Sequence, residues 1–240
     1  MSSTWIESTV GQLVVERPSR ARLFEKLGID YCCGGKKPLQ QAIIEKGLDP
    51  QKVVAELEHD AIAQDTDTTA RDWSSASLTD LADHIERVHH GYLKEELPRL
   101  EFLTHKVAAR HGDRRPELIE IHKIFLAFQE ELFSHMMKEE RVLFPICRQL
   151  DKAEKLPATH CGSIDNPIAQ MVHEHDDAGA ALARINELTD NYTPPADACN
   201  TYRATFDALR QLEQDMHQHV HKENNILFPK AQRMEKLLSR

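Results

Sequence analysis

His135-Met-Met-Lys-Glu139-Glu-Arg-Val-Leu-Phe-Pro145 and His219-Val-His-Lys-Glu223-Asn-Asn-Ile-Leu-Phe-Pro229 are one phrase written twice, 84 residues apart. A His and a Glu at i and i+4 lie on one helix face, a single turn apart. The surrounding pattern says which face. Phe128, Leu132, His135, Glu139, Val142 and Ile146 form one stripe; Leu209, Leu212, Met216, His219, Glu223 and Ile226 form the other. Each His–Glu pair therefore interrupts the apolar stripe that packs inward. A buried carboxylate or imidazole is costly unless it is paired or bound to a metal. Two such pairs point to a metal site inside a helical bundle.

The repeat reaches further back along the chain. His90 precedes His135 by 45 residues, and His175 precedes His219 by 44. Residues 77–240 thus read as two helical hairpins, each with a lone His on one helix and His-x-x-x-Glu on the next. Folded together they give an all-α four-helix bundle whose core gathers four imidazoles and two carboxylates. The pattern leaves His89 and His90 open. Leu78, Leu81, Ile85, Val88 and Tyr92 point nearer to His89, whereas Leu93, Leu97, Leu100 and the spacing favour His90. His217 and His221 lie about 160–200° round the helix from His219, at ~100° per residue, and are expected on a solvated face. His59, His105, His111, His122 and His160 are expected at the surface.

Imidazole with carboxylate, and no thiolate in either repeat, suits iron or manganese better than structural zinc. Six ligands exceed one tetrahedral zinc. They fit two ions, with Glu139 and Glu223 bridging and His90, His135, His175 and His219 terminal. Such ions keep open positions for O2, NO, peroxide or water.

Composition agrees. The 240 residues suffice for one or two domains with a real core. Only 9 Gly, 6% aromatic and 29% charged residues are typical of long helices. A net charge of −9 argues against nucleic acid and anionic membrane as partners. No apolar run approaches the ~18 residues of a membrane span. The start, Met1-Ser-Ser-Thr-Trp-Ile-Glu7, lacks the basic and apolar regions of a signal peptide. Five unevenly spread cysteines do not make a disulfide framework, so the expected location is cytoplasmic.

Polar, aperiodic Asp65–Asp72 marks a domain boundary. Residues 1–66 are expected to be a small helical domain, with stops at Pro18, Gly28, Gly34-Gly35, Gly47 and Pro50. Residues 77–240 are the bundle, opened by the capping sequence Ser77-Leu-Thr-Asp80. Its helices are expected over residues 77–109, 116–150, 167–188 and 196–238. Pro145 and Pro229 should kink or end the second and fourth.

In the small domain, Cys32 and Cys33 are adjacent. Their Cα atoms are ~3.8 Å apart, below the ~4.4–6.8 Å usual for a disulfide, so any bridge between them would be strained and readily reduced. The pair suggests a redox couple, a transient iron or thiol ligand, or a contact with a client protein. Two half-buried thiols at a turn are the plainer alternative. Cys147, Cys161 and Cys199 are expected to be ordinary thiols.

Cys32-Cys33-Gly34-Gly35, Ser134-His-Met-Met-Lys-Glu-Glu140 and Glu223-Asn-Asn-Ile-Leu-Phe-Pro229 together resemble the Repair of Iron Centres proteins of bacteria, over nearly the whole chain. The resemblance implies a hemerythrin-like bundle after a small helical domain. It implies two non-haem irons, carboxylate-bridged with an oxo or hydroxo bridge, on the six residues already reached by spacing. It also implies that Glu131 and Glu174 lie near the iron and assist proton or iron movement. Implied too is a nitrosative and oxidative stress response that repairs damaged iron–sulfur clusters by donating iron. Expected partners are nitric oxide, iron–sulfur client proteins and a second copy of the chain in a homodimer. The reduced irons would couple two NO to N2O, supplying two electrons while Glu131 or Glu174 handles protons. A cytoplasmic NO-binding buffer linked to denitrification is the alternative, and an O2-binding or sensing module a third. Oxygen-carrying hemerythrins use an additional histidine and a His-x4-Asp ending, where this chain has Asn224.

Overall fold

The computed structural model describes residues 4–63, 73–157 and 161–239. The expected boundary at residues 65–72 lies outside them. The first part is helical: α1 (Thr4–Glu7), α2 (Val10–Glu16), α3 (Arg20–Leu27), a 3-10 turn (Cys33–Lys36), α4 (Leu39–Glu45) and α5 (Pro50–Ala63). Gly28 ends α3 with φ of 66°, a left-handed C-cap that glycine adopts without strain. Pro50, expected as a stop, instead opens α5; its fixed φ and missing N–H suit a first helical position. Val10, Leu13, Phe24, Tyr31, Leu39, Ile43 and Leu57 form the core of this unit.

Four long helical runs follow. α6 covers residues 78–111, α7 residues 117–152, α8 Asp165–Leu188 and α9 residues 200–238. Ser77 caps α6, its hydroxyl accepting the Asp80 N–H at 3.0 Å. Among the described residues there is no β-strand, only an isolated bridge between Thr9 and Pro38. None of the described helices is long and apolar enough to cross a membrane.

Three of the four runs contain one π-helical turn: Ile85–His90 in α6, Glu139–Leu143 in α7 and Glu223–Leu227 in α9. Each begins or ends on one of the six candidate ligands: His90, Glu139 or Glu223. The latter two turns correct the expectation for Pro145 and Pro229, which neither end nor break their helices. A proline cannot donate to the carbonyl four residues back and crowds it. Here the chain widens just before it: the Phe144 N–H reaches back five residues to Glu139, and Phe228 does the same to Glu223. The turn in α6 explains the ambiguity between His89 and His90. A π turn inserts one residue into the helical repeat, so the stripe before it and the stripe after it are out of register. Val88, expected in the core, is 41% exposed.

The bundle core has two apolar halves. One contains Leu93, Leu97, Phe125, Phe128, Leu132, Leu182, Leu212 and Met216. The other contains Leu78, Ile85, Leu143, Phe144, Ile168, Met171, Leu227 and Phe228. On every helix the His or His–Glu pair falls between the halves. The small domain sits on the groove between α8 and α9. Asn225, inside the α9 π turn, donates to the carbonyls of Tyr31 and Cys32 at 3.2 and 3.3 Å. Gly11 and Gly35 press against its amide. A Cβ on Gly35 would lie 2.5 Å from Asn225 Oδ1, so Gly35→Ala should weaken the seating of the small domain by about 1–3 kcal/mol. A lowered Tm with new proteolytic cleavage between the two parts is the expected result; an unchanged Tm would show that Asn225 yields without cost.

Candidate metal centre

The π turns bring two carboxylates to the bundle axis with no exposed surface. Glu139 Oε2 lies 3.3 Å from His90 Nε2 and 3.2 Å from His135 Nε2. Glu223 reaches His219 Nε2 with Oε1 and His175 Nε2 with Oε2, each at 3.1 Å. All four imidazoles are buried. Two overlapping sets result: His90, Glu139, His219 and Glu223; and His135, Glu139, His175 and Glu223. Within each, potential ligand atoms lie no more than 4.8 Å apart. Each carboxylate thus contacts one imidazole of each set.

The outer nitrogens fix how the rings face. His90 Nδ1 lies 2.9 Å from Glu140 Oε1, His135 Nδ1 2.9 Å from Glu174 Oε2 and His175 Nδ1 3.0 Å from Asn224 Oδ1. Oxygens at these positions favour the Nδ1–H tautomer and leave the Nε2 lone pairs facing inward. His89 is excluded by the same accounting. Its Nδ1 lies 2.8 Å from Asp215 Oδ1 and its Nε2 3.0 Å from Lys222 Nζ, so both nitrogens are engaged elsewhere.

The electrostatics are those of a site built for a cation. Burial opposes charge on His135, but Glu139, Glu174 and Glu223 outweigh it and push its pKa up to about 10. Burial likewise opposes ionisation of Glu139 and Glu223, yet the surrounding imidazoles hold both carboxyls below their ordinary value. Glu174 is held down to about 2, first by its bond to His135, against burial, and then by Lys138 and Gln170.

These residues fit metal ions. Among the described residues, His90 Nε2, both oxygens of Glu139 and Glu223 Oε2 are buried without an aligned hydrogen bond. Orphaned acceptors are rare in protein interiors, and here they converge on one place. His135 and His175 face one another Nε2 to Nε2 at 3.1 Å. That matches the roughly 3 Å between adjacent donors around an ion bonded at about 2.0–2.2 Å. Imidazole and carboxylate donors without thiolate suit iron.

Glu131 is exposed and lines, with Phe128, Leu132, His135, Glu174, His175 and Ala178, a cavity of about 70 Å3 that reaches the cluster. Glu174 does not stand apart as a surface acid; it grips His135. Cys32 and Cys33 are free thiols with sulfurs 4.0 Å apart. Cys33 Sγ lies 3.4 Å from the His175 carbonyl, which puts the cysteine turn directly behind one of the imidazoles. Cys147 is buried, Cys161 half-buried and Cys199 exposed.

Two expectations fail. His221 is buried, its Nδ1 3.3 Å from the Tyr31 carbonyl, and His217 is half-buried with its ring edge on Tyr31. The helix angle did turn both away from the cluster, but the small domain covers that face. His122 is half-buried, its Nδ1 3.0 Å from Thr104 Oγ1. His160 and the side chain of His59 lie outside the described residues. Sequence reasoning missed Glu140 and Asn224 as ring holders. The signal was present, because each directly follows the glutamate of its repeat.

Fold and site together define a helical cation-binding protein of the HHE type. Residues 81–231 match the hemerythrin HHE cation binding domain family, and residues 6–61 match a domain of unknown function, DUF542. The chain is 40% identical over 225 residues to the iron-sulfur cluster repair protein YtfE of Enterobacter sp. (strain 638), covering 94% of this chain and 96% of that one. It is 38% identical over 229 residues to the protein of the same name from Pectobacterium atrosepticum, covering 95% and 98%. For the same protein from Escherichia coli O17:K52:H18 the figures are 37% over 225 residues, covering 94% and 96%. The chain belongs to the hemerythrin-like Repair of Iron Centres family.

Glu139→Ala and Glu223→Ala should each lose most bound iron, since each removes a carboxylate that contacts one imidazole of each set. His217→Ala should retain it. Equal iron loss in all three variants, measured per chain by mass spectrometry, would contradict the assigned helix face.

Proposed function

We propose that the cluster holds two iron ions, bridged by Glu139 and Glu223, with His90 and His219 on one and His135 and His175 on the other. The observation that carries this reading is the contact of each buried carboxylate with an imidazole of both sets. The function proposed is repair of damaged iron–sulfur clusters, with iron leaving this site as cargo for the client. Near-full-length similarity to proteins named for that activity supports it. Six protein ligands shared between two ions leave open positions, which suits a site that must both hold and release iron.

The ions would supply NO binding and one-electron chemistry. The chain's own residues supply the rest. The two apolar halves exclude bulk water from the cluster. The cavity of about 70 Å3 has room for a diatomic molecule or water, and NO is proposed as the further ligand it admits. Glu131, exposed at that cavity, would exchange protons with solvent. Glu174 is committed to His135, Lys138 and Gln170, so the proposed proton role falls to Glu131 and a positioning role to Glu174. Cys32 and Cys33, behind His175, are proposed to engage the client.

Incubation with an iron–sulfur enzyme inactivated by NO tests this function. Iron-loaded protein should restore that enzyme's activity as iron leaves it, and the Glu139→Ala variant should not. Equal restoration by metal-free protein would refute iron donation. Cys32→Ala with Cys33→Ala should keep the bundle's iron yet repair poorly; loss of iron would mean that the two domains share the site. Repeated NO turnover with an electron source would mark a catalyst, while saturation at one stoichiometric load would mark a buffer.

A further inference from the structure

The repeat that places the ligands also places their outer supports, at four corresponding positions. Glu140 and Asn224 follow the two glutamates and take the Nδ1 sides of His90 and His175. The other two supports precede the lone histidines. Glu174, before His175, takes the Nδ1 side of His135 at 2.9 Å. The corresponding residue before His90 is His89, facing His219. Three positions therefore offer an oxygen and the fourth offers a ring.

His89 stacks face to face with His219, centroids 5.3 Å apart and planes inclined by 4°. It has no acceptor to give, because its nitrogens are engaged by Asp215 and Lys222. His219 Nδ1 is buried without a hydrogen-bond partner among the described residues. An oxygen on the outer N–H of a ligating imidazole orients the ring and raises its basicity. His135 and His175 both have that support; of the other pair only His90 does.

We infer that the two ion positions are unequal, and that His89 is the positioning residue that makes them so. His89 holds the His219 ring in place by stacking but withholds the acceptor that would strengthen its bond to a cation. The position formed by His90 and His219 therefore fills second and empties first. The His135 and His175 position is the retained one. This inference rests on the two-ion reading and assigns the releasable iron to one half of the site. The larger cavity, about 470 Å3, between the small domain and the bundle has His89, Asp215 and Lys222 in its wall, so His89 stands between that space and His219.

Anaerobic titration of metal-free protein with ferrous iron, in competition with a chromogenic chelator, tests the inference. The wild-type chain should bind two ions with dissociation constants about 10-fold or more apart, the usual scale for an outer support. His89→Glu supplies an acceptor like that of Glu174 and should tighten the weaker step by about 10-fold, leaving the tighter step unchanged. Glu174→Ala should loosen the tighter step. His89→Phe keeps the stack without the acceptor and should titrate like the wild type, which separates ring support from general damage to the fold. Two ions bound with equal affinity in the wild type would overturn the inference while sparing the two-ion reading. So would a His89→Glu variant that folds but leaves the weaker step unmoved. Saturation at one ion would overturn both.

Discussion

Two ionised carboxylates lie on the axis of an apolar bundle with no solvent contact, and the architecture around them follows from that constraint. Burying a charge costs several kcal/mol even after relaxation, unless partners or a metal compensate it. Four helices each bring an imidazole to within 3.3 Å of those carboxylates. The surrounding core is divided into two apolar halves by this polar layer. Three π turns, a helical form enriched at functional sites, set the ligands at the boundary between the halves. The same turns absorb Pro145 and Pro229, so the phrase that supplies the glutamates also supplies the backbone that aims them.

The small domain is tied to the same place. Asn225 sits two residues past Glu223 and holds the Tyr31 and Cys32 carbonyls, while Gly11 and Gly35 pack on its amide. Cys33 reaches the carbonyl of His175. The cysteine turn and the cluster are therefore neighbours, separated by one helix backbone.

Much of this was legible in the sequence because the repeated phrase constrains itself. Pairing His135 with Glu139 and His219 with Glu223 on an apolar stripe left few folds that could bury them. Helix limits were read to within a few residues, since Ser77, Pro116 and Pro195 punctuate the chain. Register inside the helices was harder. Periodicity assumes 3.6 residues per turn, so the π turn in α6 left His89 and His90 unresolved until their hydrogen bonds could be compared. Burial of His221 was invisible because the covering surface comes from Tyr31, 190 residues away. Glu140 and Asn224 were not singled out beside the glutamates, and the ring geometry shows what they hold.

The account stands on two ions sharing six residues. The most direct test is metal content per chain on protein purified without oxygen from iron-replete cells. It predicts close to two irons, falling sharply when Glu139 or Glu223 is replaced. One zinc per chain, or no metal, would contradict it and leave the paired histidines and glutamates without a physical explanation.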